Sequence, residues 1–268
     1  MNFHPEGNRP KLTALDAGAY LKRIYMEVTK PSRQFLKDLH FQHLLHIPFE
    51  NLDIHYNRPI ILDYQKIFKK IILGNRGGFC YELNGLFYHL LSQLGFEVMI
   101  TSARPFENGK LAPEFDHMIV IVKYERELFL CDVGFGELMR FPKRIVLNEP
   151  QLDYTSYFRL VKNPDDEWIL QKSKDNHLYE SVYQFDLRPR QLIEFLPRCD
   201  FHQQSIDSHF RNGKLITQLF PNGRITLTNR ELKTNLSGEI EVKKIMNEDE
   251  FLYHLQENFG ISSTELFQ

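Results

Sequence analysis

Apolar residues recur at three- and four-residue steps through the first third of the chain, the spacing of one face of an α-helix. Between Leu12 and Val28 they fall at Leu15, Ala19, Tyr20, Ile24, Tyr25 and Val28. A second helix opens at Pro31, whose fixed φ suits a first helical turn, with Phe35, Leu36, Leu39, Leu44 and Leu45 as its apolar face. It ends near Ile47, because Pro48 biases its predecessor away from helix. Tyr64 to Leu73 predicts a short helix with Ile67, Phe68, Ile71 and Ile72 inward. The strongest run is Leu83, Leu86, Phe87, Leu90, Leu91 and Leu94. It predicts a helix that has Cys80 in its first turn and stops near Gly95.

The period changes after Gly95. Val98 to Phe106, Phe115 to Tyr124 and Glu127 to Val133 are rich in Val, Ile and Phe and read as strands. Lys123-Tyr124-Glu125-Arg126 is a turn between the second and third. Ser156 to Lys162, Trp168 to Lys172 and Leu178 to Phe185 follow as further short strands, which suggests a barrel or a sandwich. Leu138 to Tyr154 reads as the longest irregular piece, and Arg190 to Phe195 as a short helical one. Leu215 to Phe220, Arg224 to Leu227 and Glu239 to Ile245 read as strands, the first two joined by a Pro221-Asn222-Gly223 turn. Glu248 to Phe259 closes the chain as a helix between an Asn247 cap and a Gly260 stop. The pattern is α+β.

Composition narrows the function. The 268 residues carry 33 basic and 35 acidic side chains, a net charge of -2. Such a balance argues against a nucleic-acid binder. Cys80, Cys131 and Cys199 are too few and too odd for a disulfide framework, so the expected compartment is reducing. Residues Met1 to Leu12 hold no apolar stretch, and the best apolar run, Met118 to Val122, is strand-sized. Neither a signal peptide nor a membrane partner is expected, and the expected location is the cytoplasm. The 22 Phe and 12 Tyr would fill a core or line a pocket for a flat ligand. His40, His43 and His46 recur every three residues. With no thiolate, no carboxylate support and no His-Glu-x-x-His pattern, they predict a surface or interface role and no metal.

The candidate chemistry starts at Cys80. Gly77 and Gly78 give a flexible entry to its helix. Free N–H groups and the helix dipole favour thiolate in a first turn. Glu50, just past an earlier helix end, is a candidate to pair with Arg76 and pin the loop before the cysteine. His117 begins one strand and Asp132 ends the next. If those strands form a hairpin, the two residues meet. A thiol needs a base, and an imidazole needs a partner that fixes its tautomer. Cys80, His117 and Asp132 therefore form a candidate nucleophile, base and orienter. Gly134-Phe135-Gly136 lets backbone approach a ligand closely. No Walker A loop or dinucleotide fingerprint is present.

These segments resemble a known family. Arg76-Gly77-Gly78-Phe79-Cys80 with Glu82 and Asn84 resembles the active-site signature of the arylamine N-acetyltransferases. So do Ile47 to Leu52, Ser102-Ala103-Arg104, the His117 strand, Asp132 to Gly136, Asn222 to Leu227 and Phe259-Gly260-Ile261. The resemblance implies a helical domain over residues 1–96, a β-barrel domain over 97–200 and an α/β lid over 201–268. The first two are similar to the papain-like cysteine protease core. It also implies ping-pong transfer of acetyl from acetyl-CoA, through a Cys80 thioester, to the nitrogen of arylamines, arylhydrazines or N-hydroxyarylamines. By motif, the acceptor pocket falls on Phe49, Tyr81, Pro105 and Phe135, with Pro105 where the family commonly carries Val. Coenzyme A contacts fall on Gly134, Gly136, Ser208 and Phe210. The chain would act as monomer or homodimer. Rival readings are a thiol hydrolase (protease or amidase) with the same triad, an amide synthase of the same fold, and a non-enzymatic binder of aromatic ligands.

Overall fold

The structure, a computed structural model, describes residues 14–136 and 138–267. Up to residue 93 it is mostly helical: α1 (Ala14–Arg23), α2 (Arg33–His46), α3 (Leu52–His55), α4 (Tyr64–Phe68) and α5 (Cys80–Gln93). The first helix is shorter than its apolar pattern, because Tyr25 takes the left-handed φ of 56° and cannot continue a right-handed turn. Leu12 and Thr13 of that expected helix lie outside the described residues. Ser32 caps α2 by accepting the Phe35 N–H at 3.0 Å. A π-helical turn, Lys69–Leu73, carries on from α4.

Helix α5 is buried on every side from Cys80 to Phe87, as a helix at the centre of a molecule must be. It packs on a long antiparallel sheet whose strands are β2 (Glu97–Glu107), β3 (Lys110–Leu111), β4 (His117–Tyr124), β5 (Glu127–Cys131), β6 (Lys143–Arg144), β7 (Gln151–Asp153), β8 (Ser156–Lys162), β9 (Trp168–Ser173) and β10 (Glu180–Phe185). The order is β6-β5-β4-β2-β10-β9-β8-β7, with β3 on the side of β2, and the sheet curls nearly closed like a barrel. Alternate residues serve two cores, as a period of two requires. Val98, Ile100, Met118, Val120 and Val122 face the helices. Met99, Ala103, Ile119, Ile121 and Leu130 join the barrel interior. That is why Met118 to Val122 reads as an unbroken apolar run: both of its faces are covered.

A second sheet has the order β1-β11-β12-β13-β14. Its members are β1 (Phe49–Glu50), β11 (Leu215–Phe220), β12 (Gly223–Thr228), β13 (Glu231–Leu236) and β14 (Glu239–Lys244). The Pro221-Asn222 turn joins β11 and β12 in the expected hairpin, with Phe220 opposite Gly223. Phe49 pairs with Thr217, so a strand from the helical region edges the C-terminal sheet. Helix α6 (Leu196–Gln204) follows the short 3-10 turn of Leu192–Phe195, while α7 (Glu248–Phe259) and α8 (Ser263–Phe267) close the chain. The α7 boundaries are as expected. Asn247 accepts the Glu250 N–H at 3.0 Å, and Gly260 turns left-handed at φ 67°. The fold is α+β. Among the described residues, no helix is long and apolar enough to cross a membrane.

Candidate active site

Cys80 is the first residue of α5 and is 3% exposed. A buried charge network fixes the helix start beneath it. The Glu82 carboxylate reaches back to accept the Phe79 N–H at 2.8 Å and pairs with Lys70 at 2.7 Å. Lys70 pairs with Asp53 at 2.8 Å, and Asp53 with Arg76 at 2.8 Å. The expected Glu50–Arg76 pair closes the set at 2.7 Å. Burial alone would raise the Asp53 carboxyl, but Lys70 and Arg76 outweigh it and hold it below its ordinary range. Burial would likewise lower the Lys70 ammonium, and Glu82, Glu50 and Asp53 hold it up. Gly77 serves proximity here rather than flexibility. A Cβ at that position would lie 2.4 Å from the Pro48 carbonyl and 2.8 Å from the Glu50 side chain.

His117 and Asp132 come together as the hairpin geometry predicts. Strands β4 and β5 pair Tyr124 with Glu127 and Val120 with Cys131, which brings the next residue of β5 toward the start of β4. The His117 Nε2 lies 2.9 Å from the Asp132 Oδ2. The other carboxylate oxygen accepts from Asn84 Nδ2 at 2.9 Å and from the Gly134 N–H at 3.0 Å. Asn84 also donates to the Met118 carbonyl at 2.7 Å and accepts the Val133 N–H at 2.9 Å. It stands four residues after Cys80, on the same face of α5, and so ties the acid to the helix of the nucleophile. Gly134 closes the join: a Cβ there would sit 2.6 Å from Asn84 Nδ2 and 2.8 Å from the Cys80 carbonyl.

His40 also belongs to this shell. Its Nε2 accepts the Asp132 N–H at 3.2 Å, so its Nδ1 carries the proton given to the Arg140 carbonyl at 2.9 Å. Burial lowers its pKa to about 4 and keeps it neutral. His43, equally buried, lies 2.6 Å from the Tyr20 hydroxyl. These positions correct the surface or interface reading for His40 and His43, while His46 stays half-buried beside Gln42. Rings face inward on α2 because a hydroxyl and a carbonyl wait there to satisfy them. The sequence had no sign of His40, whose partners stand far along the chain. Asn84 was within reach, since its spacing puts it beside Cys80.

Cys80 and His117 line one cavity of about 350 Å³. Phe49, Pro105, Phe135, Gly134, Gly136 and Phe210 line it too, as do Asp116 and Thr217. Two residues expected at this site are not on the wall. Tyr81 is fully buried behind it, donating its hydroxyl to the carbonyls of Phe115 at 2.9 Å and Asp116 at 3.0 Å. Ser208 is buried too, its hydroxyl 3.3 Å from His202 Nδ1. The Phe135 ring stands edge-on to His117, with centroids 5.1 Å apart. Asp116 accepts from Arg198 and lies 3.3 Å from His202 Nε2; these partners outweigh burial and keep it ionised.

Burial of the sulfur works against the expected thiolate. Burial pushes the Cys80 thiol up, Cys199, Asp116 and Asp132 push the same way, and the Tyr81 backbone N–H pulls down by less. To become a thiolate against that push, the sulfur needs a proton acceptor beside it. Among the described residues, no cluster of three or more His, Cys, Asp or Glu could hold a metal.

A family model described as N-acetyltransferase matches residues 34–266. An arylamine N-acetyltransferase of Escherichia coli is 34% identical over 84% of this chain and 81% of its own length. The solved arylamine N-acetyltransferase of Salmonella typhimurium superposes with a TM-score of 0.86 at 31% identity, covering 93% of this chain and 92% of that one. The Mycobacterium marinum enzyme in complex with CoA superposes at 0.85 with 26% identity, over 94% and 95%. The likeness therefore runs through the helices, the barrel and the C-terminal sheet alike, and the chain belongs to the arylamine N-acetyltransferase family.

Proposed function

We propose that this acyltransferase moves acetyl from acetyl-CoA to the nitrogen of an arylamine, arylhydrazine or N-hydroxyarylamine, through a thioester on Cys80. The carrying observation is the His117–Asp132 contact of 2.9 Å beside a cavity that Cys80 and His117 share. His117 takes the thiol proton as the sulfur attacks the donor carbonyl, and Asp132 stabilises the imidazolium. Backbone N–H groups at the start of α5 steady the tetrahedral oxyanion. The intermediate collapses, CoA sulfur leaves, and the imidazolium returns the proton to it. In the second half the neutral amine attacks the Cys80 thioester, His117 takes the amine proton, and the cysteine leaves as the thiol.

Thioester exchange between two sulfurs is nearly even in energy, so the first half asks chiefly for deprotonation. An arylamine is neutral at pH 7, so its nitrogen lone pair is free to attack while His117 takes the proton. Phe49, Pro105 and Phe135 would hold its flat ring, and Gly134, Gly136 and Phe210 would admit the narrow arm of the donor. Tyr81 and Ser208 would act from behind the wall. The helical part (1–96) would bring the nucleophile, the barrel (97–200) the base and acid, and the last part (201–268) the cover. A Salmonella typhimurium relative named arylamine N-acetyltransferase / N-hydroxyarylamine O-acetyltransferase, 31% identical over 92% of this chain, supports arylamines as acceptors, and its name puts the acetyl group on the oxygen of N-hydroxyarylamines. Acetyl-CoA consumption against a panel of anilines and hydrazides, with Cys80→Ala as control, tests the reading. Turnover that survives in Cys80→Ala, or peptide cleavage without acetyl transfer, would overturn it.

A further inference from the structure

Strand β14 ends the C-terminal sheet. Among the described residues no strand pairs with its far side, and every residue from Glu239 to Lys244 is exposed. Such an edge is a template for another strand, and chains commonly guard it with charge. Here two apolar side chains stand among the charges, Ile240 at 61% and Val242 at 51% exposure.

The turn before β14 decides which backbone groups point outward. Ser237 and Gly238 both take positive φ, 53° and 87°, as in the type I′ turn of a two-residue hairpin. Leu236 and Glu239, which close that turn, are opposite each other and form a hydrogen-bonded pair. Bonded and non-bonded pairs alternate along an antiparallel ladder, so Glu241 and Lys243 also bond to β13. Ile245 keeps the same phase, donating to the Arg230 carbonyl at 2.8 Å. The N–H and C=O groups of Ile240, Val242 and Lys244 therefore face the free edge, and the side chains of these three share one face of the sheet.

We propose that a second copy of this chain pairs antiparallel with β14, about a two-fold axis at Val242. In that register Val242 exchanges main-chain bonds with the partner's Val242, and Ile240 does so with the partner's Lys244, whose stem covers its side chain. On the other face Glu241 meets the partner's Lys243, and Lys243 meets the partner's Glu241. These contacts fall at pairs without main-chain bonds, where side chains stand closest. Within their own sheet the two are opposite Thr234 and Leu232, so neither has a countercharge there. Moving the axis by one residue would set Glu241 against the partner's Glu241, or Lys243 against the partner's Lys243, and like charges directly opposite are destabilising. The charges that guard this edge against a foreign strand are thus complementary to themselves, and they select one symmetric register. The pairing is independent of the acetyl transfer proposed above.

Sedimentation velocity of the full chain at low ionic strength, over a range of concentrations, tests the proposal. One short strand is a small interface, so the dimer should form only above the order of 10 μM. Glu241→Lys alone sets lysine against lysine across the axis, and Lys243→Glu alone sets glutamate against glutamate. Each should raise the dimer Kd at least about tenfold. An equimolar mixture of the two variants should recover the dimer, because each strand then meets opposite charges, and so should the double variant. Both side chains are exposed, so neither substitution disturbs the core. A wild-type chain that stays at 31.9 kDa up to several hundred micromolar would overturn the assignment. So would single variants that dimerise like the wild type, or a mixture that stays monomeric.

Discussion

Replacing Asn84 with alanine removes three hydrogen bonds, to Asp132, Met118 and Val133, and leaves buried partners unpaired. The expected loss is about 1–3 kcal/mol of stability. With the carboxylate untethered, kcat should also fall by at least about tenfold, part of the roughly 10²–10⁴ that a positioned base supplies. Urea unfolding and steady-state kinetics check both, and unchanged kcat would show that Asp132 is held well enough without the amide. A second prediction concerns the sulfur. Because burial raises the Cys80 thiol, deprotonation depends on His117. The pH profile of inactivation by iodoacetamide should therefore move to higher pH in His117→Gln; an unmoved profile would exclude the imidazole as proton acceptor. Cys80, His117 and Asp132 were legible because a glycine-flanked helix start and a strand-end pair are local patterns. The burial that opposes the thiolate was not. It depends on how completely the sheet and α6 cover the site, which no local pattern reports.

Close approach between elements decides the fate of one glycine and one arginine. Gly134→Ala would drive a methyl group into Asn84 and the Cys80 backbone, displacing either the amide or the start of α5. Loss of most acetyl transfer is expected at about 1–3 kcal/mol of destabilisation, the range for overpacking; full activity would mean that the loop moves freely from α5. Arg76→Met should cost more, about 3–5 kcal/mol, because Glu50 and Asp53 would be left buried without their cation. Chemical denaturation measures it, and a loss below about 1 kcal/mol would mean the network is solvated. The β4–β5 hairpin could be read from sequence since its turn is two residues long. The pairing of Phe49 with Thr217 could not, because a two-residue strand carries no period and its partner lies far away in the chain. Strand β13 was also missed. Its Glu231–Leu236 sequence is too polar to alternate clearly, since neither face of it is fully covered.

Over the whole molecule, stability should depend on pH through the buried histidines. His40 is held near a pKa of about 4 when folded and titrates near 6.5 when unfolded. Between those values the unfolded chain binds the extra proton, so stability falls as pH drops from about 6.5 to about 4 and this contribution is flat below. The full loss from His40 is about 3 kcal/mol, and His43, also lowered by burial, adds in the same direction. Urea midpoints across that range should show the fall, with a shallower slope in His40→Gln; equal slopes would mean that His40 is protonated in the native state. The α+β class was plain in the switch of period near Gly95, whereas the joining of three segments around α5 rests on long-range contacts that periodicity does not encode. The shortest route to the chemistry itself is the intact mass of the protein after exposure to acetyl-CoA without acceptor. One acetyl group should appear on the peptide containing Cys80 and vanish on adding an aniline, as the N-acetyl product forms. No adduct on the wild-type chain, or one that persists in Cys80→Ala, would contradict a thioester at that sulfur.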